Sequence, residues 1–395
     1  MRGDIVLIVV ADDDASQRIF TSTVLKRLGH TPLEAEDGDV ALKLIQDSKA
    51  PILVCDLKMP GLDGHQLTQQ VRALDLGYYV HIVMVTGRDQ GADRRLALEA
   101  GVDDFMQKPL DAAVLTVRIK AAARLVQHEE ALSERNRILN EAKERIEADL
   151  HAAADAQRRL LPDPRIEIQG CRFTSSFVPS TYVSGDMYGC FDLNHEAVGI
   201  YAVDVAGHGV HAALLSVAIG HLVSADFFAN YALTPSGEHD PAALVRELNA
   251  RFYSDEGSDY FTMFCGVLDQ RTGTLTYCQA GAPSPFMIAS DQGVTAIGDG
   301  GFPVALLPDL EYENGTVQFE PGATLVVYSD GATEAENADG TPFGEDRLMQ
   351  LIAGVAKDDV AQVPKVVTEA LTKWRSGDPL EDDLTVFTLE RSSSK

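Results

Sequence analysis

Ile5–Asp14 reads IVLIVVADDD, seven apolar residues cut off by three aspartates. A Val/Ile-rich run this short is a buried strand, since a membrane span needs about twenty apolar residues. Similar runs recur at Pro51–Cys55, at Val80–Val85 and, more weakly, at Asp103–Gln107. Between them lie helical patterns: Phe20, Val24 and Leu28 closed by Gly29, and a stretch ending at Ala100-Gly101. Strands alternating with helices imply right-handed crossovers and a parallel sheet covered on both faces. Nearly continuous apolar strands suit such a sheet. The sequence thus predicts a doubly wound α/β domain over residues 1–120.

Polar residues stand where these strands end. Asp12 and Asp13 follow the first strand, Asp56 the third, Thr86 the fourth, and Lys108 the fifth, with Pro109 next. In a parallel sheet all of them share the carboxyl edge, where open α/β folds bind ligands. Three crowded carboxylates repel one another unless a hard divalent cation sits between them, and Mg²⁺ takes such oxygen ligands. A carboxylate beside Mg²⁺ can attack a phosphoryl group and become an acyl phosphate. Lys108 would neutralise the added charge and Thr86 would donate to a phosphoryl oxygen.

With VVADDDASQR, CDLKMPGLDG, IVMVTG and DDFMQKP in place, this segment resembles the receiver domain of two-component response regulators. The resemblance implies Asp56 as phosphoacceptor, with Asp12, Asp13, Asp56 and the Lys58 carbonyl as the Mg²⁺ pocket. It implies Phe105 as an aromatic switch residue acting with Thr86 and Lys108. A cognate histidine kinase or phosphotransfer protein is the implied donor.

From Leu110 to Leu161 the chain contains neither Gly nor Pro, a stretch of 52 residues. Leu125, Leu132, Leu139 and Ile146 recur every seven residues, as on a coiled-coil seam, although His128, Arg135, Ala142 and Asp149 fill the intervening core positions poorly. The pattern predicts a helical linker over 121–162 that pairs two chains, ended by Pro162 and Pro164.

Residues 163–395 change character. Short strands at Gly199–Ala206, Phe261–Leu268, Leu275–Gln279, Ala323–Ser329 and Leu384–Leu389 are separated by turns, with helical stretches at Ala212–Phe228, Pro241–Tyr253 and Asp346–Val355. This mixture predicts an α+β sandwich. Four aspartates stand beside glycine or at strand ends: Asp186 in VSGDMYG, Asp204 in AVDVAGHG, Asp330 in VVYSDGATEA and Asp382 in EDDLTVFTL. Asp330 ends a strand and Asp382 precedes one, so the two meet only if those strands run antiparallel. Carboxylates without His or Cys select Mg²⁺ or Mn²⁺ over zinc. Two such ions about 4 Å apart bridge and activate a water. His208 and His211, spaced H-x-x-H, are read as packing or cleft-lining residues rather than ligands.

These motifs, with AQRRLLP, YFTMFCGVLD and GFPVALLPD, resemble the PPM-type Ser/Thr phosphatases of the sporulation and stress-response branch. The resemblance implies Asp186, Asp204, Asp330, Asp382 and the Val205 carbonyl as ligands of two Mn²⁺ or Mg²⁺ ions. Asp204, Asp330 and Asp382 are the implied catalytic residues, with Asp383 able to assist. In AGAPSPF, Ala282 stands where the branch often has His. The whole chain resembles RssB-like response regulators, which implies a phosphorylated STAS-type anti-sigma-factor antagonist as substrate. The rival reading is a pseudophosphatase adaptor that binds a sigma factor or anti-sigma partner without catalysis.

Charge narrows the partners. The 33 basic and 60 acidic residues leave a net charge of −27, which repels phosphate backbones and anionic lipid. No nucleic-acid or membrane partner is expected. Five cysteines without a C-x-x-C pair argue against a zinc ribbon or disulfide framework and predict buried thiols in a cytoplasmic protein.

Overall fold

A computed structural model describes residues 5–87, 98–193, 197–234, 238–255, 257, 259–289, 293–357 and 359–392. The chain divides into two compact units, Met1–Glu144 and Arg145–Lys395.

In the first unit, β1 (Leu7–Ala11), β2 (Thr31–Ala35), β3 (Ile52–Asp56), β4 (His81–Thr86) and β5 (Asp104–Gln107) form a parallel sheet in the order β2-β1-β3-β4-β5. Apolar patterning does not mark β2, because TPLEA carries Pro and Glu on an edge strand that is only partly covered. The helices α1 (Ala15–Arg27), α2 (Gly38–Ser48) and α3 (Gly64–Ala73) each begin on a side-chain cap. Asp14 accepts from the Ser16 and Gln17 N–H groups, Asp37 from that of Val40, and Asp63 and Gln66 cap one another. Each cap satisfies donors that the helix itself cannot pair. β3 is buried along its whole length. Leu53, Cys55 and Met84 pack on one face of the sheet, Val10, Val54 and Val83 on the other. The helical stretch expected before Gly101 falls largely on residues 88–97, outside the described residues.

Helix α4 runs from Ala112 to Arg158, close to the span without Gly or Pro. Leu115, Ile119, Ala122 and Val126 are buried against the parallel sheet. Farther along, the seam residues Leu125, Leu132, Leu139 and Ile146 are 53–65% exposed. At the other end Ala154 and Gln157 are buried in the second unit.

The second unit is a sandwich of two antiparallel sheets. One has the order β14-β11-β10-β9-β8 and the other β13-β12-β15-β16-β7-β6. The strands are β6 (Arg165–Ile168), β7 (Cys171–Val178), β8 (Asp186–Asp192), β9 (Ala197–Val205), β10 (Phe261–Asp269), β11 (Thr274–Ala280), β12 (Phe286–Ala289), β13 (Gly293–Ala296), β14 (Gly315–Gln318), β15 (Thr324–Tyr328) and β16 (Leu384–Arg391). Tyr188, Phe264 and Leu325 fill the space between the sheets with Phe173 and Phe387, whose rings lie 5.2 Å apart. Helices α5 (Val210–Leu222), α6 (Ala225–Tyr231) and α7 (Pro241–Phe252) carry residues of the core cluster on the outer face of the first sheet. Helices α8 (Gly331–Glu334), α9 (Glu345–Val355) and α10 (Val363–Trp374) do the same for the second.

One helical expectation needs correction, and one helix is additional. Ala212–Phe228 is not one helix: it breaks at Val223-Ser224, and the Ser224 hydroxyl accepts from the Phe227 N–H to start α6. Helix α10 lies outside the helical stretches named from the sequence; Pro364 sits in its first turn, where its missing donor is harmless. All five cysteines are buried free thiols. Among the described residues no single helix is long and apolar enough to cross a membrane.

Candidate functional site

Two carboxylate clusters were expected, and they differ in tightness. At the carboxyl edge of the parallel sheet, one oxygen each from Asp12, Asp13 and Asp56 lies within 4.8 Å of the others. Asp12 and Asp56 are buried while Asp13 is exposed. Lys108 Nζ donates to Asp56 Oδ2 at 2.7 Å and to Asp12 Oδ2 at 3.2 Å. Burial pushes the Asp12 carboxyl above its ordinary range, against the Asp14 N–H and the Lys108 ammonium. Burial also opposes the Lys108 charge, but the Asp56 and Asp12 carboxylates outweigh it and hold that ammonium above its usual range. Thr86 ends β4 and Phe105 lies on β5, and both line one cleft with Pro109 and Arg118. Lys58 lies on the exposed turn after β3.

In the sandwich the four aspartates come from both sheets. Asp186 begins β8 directly opposite Asp204 of β9. Asp330 follows β15 and Asp382 precedes β16, and these two strands pair antiparallel. Asp186 is 1% exposed, and among the described residues neither of its carboxylate oxygens has a hydrogen-bond partner. Burial and the Asp204 charge push its carboxyl well above the usual range. Burial, then Asp330 and Asp382, push the Asp204 carboxyl up to about 8. Burial, then Asp382 and Glu334, push Asp330 up to about 6. Asp186 is buried, Asp204 and Asp330 are half-buried and Asp382 is exposed. A buried carboxylate without a hydrogen-bond partner, repelled by its neighbour, is what a divalent cation satisfies, so these residues fit a bound Mg²⁺ or Mn²⁺. The Val205 carbonyl lies against Gly185, where a Cβ would stand 3.1 Å from it.

Asp383, directly before β16, adds its charge to the forces that raise the Asp186 and Asp204 carboxyls. Its buried carboxylate accepts from the Ser180 N–H at 2.7 Å, the Ser180 hydroxyl at 2.9 Å and the Gly185 N–H at 2.7 Å. Ala282 lines a narrow crevice with Asp186, Asp204 and Thr385. His208 and His211 are exposed rather than packed in the core, and His211 Nε2 stands 3.0 Å from Asp259.

Three further residues were not foreseen. Glu334, four after Asp330, lines a cleft of about 480 Å³ beside Asp382 and Gly331; its spacing from Asp330 was the available signal. Gln157 donates to the Ser184 carbonyl at 2.6 Å and to Ser216 Oγ at 3.0 Å, and accepts from the Ser184 N–H at 3.0 Å. Ser180 carries no sequence signal at all.

Residues 8–120 match the family model of the response regulator receiver domain, and residues 194–392 that of Stage II sporulation protein E (SpoIIE). Protein IcfG of Synechocystis is 27% identical over 266 residues, covering 62% of this chain and 42% of that protein. The alkaline phosphatase synthesis transcriptional regulatory protein PhoP of Bacillus subtilis is 36% identical over 117 residues, 30% of this chain and 48% of that protein. The chain therefore spans about half the length of these relatives. The solved SiaA-PP2C domain of Pseudomonas aeruginosa superposes with a TM-score of 0.53 at 22% identity, over 63% of this chain and 98% of that one. At that identity the likeness is one of fold.

The cluster makes stability depend on pH. Asp204 binds its proton more tightly in the folded chain than at its ordinary value of 3.8. The metal-free fold therefore gains stability from it at low pH and loses it as pH rises from about 4 through about 8. In EDTA the unfolding temperature should be lower at pH 8 than at pH 6. Asp204→Asn should reduce that difference, the remainder belonging to Asp186 and Asp330, and raise stability at pH 8 by about 1–3 kcal/mol. Differential scanning calorimetry of both proteins at the two pH values checks this.

Proposed function

Because the chain belongs to the Stage II sporulation protein E (SpoIIE) family and carries a receiver domain ahead of that match, we propose that it is a phosphorylation-controlled, metal-dependent protein Ser/Thr phosphatase. The observation that carries this reading is the buried, unpartnered Asp186 carboxylate opposite Asp204. A side chain so placed is costly to the fold alone and useful to a cation. The adaptor reading would leave that cost without a purpose.

The residues divide the work between the sheets. Asp186, Asp204, Asp330 and Asp382, with the Val205 carbonyl, would hold two Mn²⁺ or Mg²⁺ ions, which lower the pKa of a bound water and polarise the phosphoryl group. Without cations the carboxylates repel a phosphoserine dianion; with their charge neutralised the same site attracts it. Asp204 feels the charges of Asp330 and Asp382 of the other sheet as well as that of its neighbour Asp186 across the β8–β9 pair, and bound cations would offset that repulsion. Asp330 stands at the start of α8, with its carbonyl accepting from the Glu334 N–H, so its backbone is held by that turn.

In the receiver, Asp56 would attack a phosphoryl group brought by a histidine kinase, a phosphotransfer protein or a small acyl phosphate, giving an aspartyl phosphate and releasing the donor. Asp12, Asp13 and the Lys58 carbonyl would hold Mg²⁺ beside it. Lys108, already 2.7 Å away, neutralises the added charge, and Thr86 and Phe105 follow the phosphoryl group. Gln157 in the last turn of α4 grips Ser184, two residues before Asp186. It supports that helix as the element through which the receiver biases the phosphatase. The exposed seam of α4 supports a homodimer formed through it. The substrate proposed is a phosphorylated STAS-type anti-sigma-factor antagonist, with sigma-factor availability as the output of a cytoplasmic switch.

Hydrolysis of a phosphoserine protein should require Mn²⁺ or Mg²⁺ and stop in EDTA. Asp204→Asn and Asp330→Asn should lower turnover by orders of magnitude with circular dichroism unchanged; full activity without metal sinks the site. Asp56→Ala should stay active yet lose the response of initial rate to a beryllofluoride mimic that the unmodified protein shows. Equal insensitivity of the unmodified protein would end the coupling reading. Replacing Leu132 and Leu139 by Ser should shift the mass from dimer to monomer in light scattering, and a monomeric unmodified chain would contradict pairing.

A further inference from the structure

We infer that Asp383 is a positioning residue that spans the two sheets of the sandwich and sets where Asp186 stands relative to Asp330 and Asp382. The inference rests on the phosphatase reading only for the use to which that geometry is put. Asp186 and Asp204 belong to the five-stranded sheet, whereas Asp330 and Asp382 flank strands of the six-stranded one. Register fixes the members within each sheet, but it says nothing of the spacing between sheets.

Three groups of Asp383 reach the neighbourhood of three of the four carboxylates. Its N–H donates to Asp382 Oδ1 at 2.8 Å, which orients that carboxylate. Its carbonyl accepts from the Ser329 hydroxyl at 3.0 Å, next to Asp330. Ser329 Oγ in turn accepts from the Thr385 N–H at 2.9 Å, which ties β15 to β16. Its side chain accepts from Gly185, the residue before Asp186, and doubly from Ser180. Asp383 is 6% exposed, and both its carboxylate oxygens accept from this segment, Oδ1 from Ser180 and Oδ2 from Gly185.

The segment needs holding. Among the described residues neither Asp186 oxygen has a hydrogen-bond partner; the nearby Thr385 and Ser329 hydroxyls favour its charge only in part, and burial and Asp204 oppose it. Its place is therefore set through its main chain: by register with β9 on one side and by Ser180–Gly185 on the other. Only an acid supplies acceptors in both directions. Asparagine at 383 would offer one oxygen and would turn an amide donor toward either Ser180 or Gly185.

The test is calorimetric titration of the metal-free full-length chain with Mn²⁺, beside hydrolysis of p-nitrophenyl phosphate. Asp383→Ala should weaken Mn²⁺ binding about tenfold or more, as loss of the partners that orient metal ligands does, and Asp383→Asn should fall between. The Mn²⁺ concentration for half-maximal rate should rise by the same factor, with turnover at saturating Mn²⁺ largely recovered. Ser180→Ala should weaken binding by a smaller factor, and should add nothing once Asp383 is Ala. Should Asp383→Ala fail to fold, the expected weakening in Ser180→Ala still decides. Unchanged Mn²⁺ affinity in the variants, with only a lowered unfolding temperature, overturns the inference. So does an Asp383→Ala protein as inactive at saturating Mn²⁺ as Asp382→Asn, which would make Asp383 a ligand. An unmodified chain that binds Mn²⁺ but hydrolyses nothing defeats the phosphatase reading, while the binding data still decide the role of Asp383. An unmodified chain that binds no Mn²⁺ defeats both.

Discussion

Like charges brought together away from water are the constraint around which both units are built. A carboxylate moved out of water must be paired, protonated or bound to a cation, because desolvation removes the hydration that stabilised its charge. The two clusters meet this constraint differently. In the receiver, Lys108 stands inside the acidic trio and bonds two of its members. Among the described residues the sandwich cluster has no such ammonium in its hydrogen bonds: Asp186 is left without hydrogen-bond partners, and burial with the Asp330 and Asp382 charges pushes the Asp204 carboxyl up to about 8. One site is poised with a built-in counter-charge; the other depends on charge brought from outside.

The surrounding fold distributes the cost. Asp186 and Asp204 sit side by side where β8 and β9 pair, on a sheet whose inner face is packed with aromatic side chains such as Tyr188 and Phe264. Strands so well packed can tolerate a repelling pair at one end, because moving it would break register along the whole ladder. Small residues allow the close approaches. A Cβ on Gly331 would lie 2.2 Å from the Asp383 carbonyl, so only glycine lets α8 start against β16.

The linker helix works by a comparable economy of contacts. It is buried at its receiver end through Leu115, Ile119 and Val126, and at its far end through Ala154 and Gln157, with exposed apolar residues between. Gln157 is a neutral side chain that satisfies three groups at once, among them both main-chain atoms of Ser184. The described helix has no Gly or Pro, the residues at which sharp kinks usually form. A shift of its last turn must therefore either carry the segment before Asp186 along or break those bonds.

Local patterning determined a great deal. Apolar runs of strand length ended by Asp12, Asp56, Thr86 and Lys108 placed those residues on one sheet edge, since a parallel sheet leaves no other arrangement. The absence of Gly and Pro delimited the helix to within a few residues. The four sandwich aspartates were legible because each stands at a strand end or beside glycine. What sequence could not decide were relations between distant segments and the burial that follows from them. Asp383 meets Ser180 across 203 residues, and no periodicity encodes which neighbour a carboxylate will find. The edge strand β2, the break before Ser224 and the exposure of His208 and His211 likewise depended on what the rest of the chain covers. Spacing along the chain is set by short-range geometry, whereas the pairing and desolvation of a charge are set by whatever packing brings beside it.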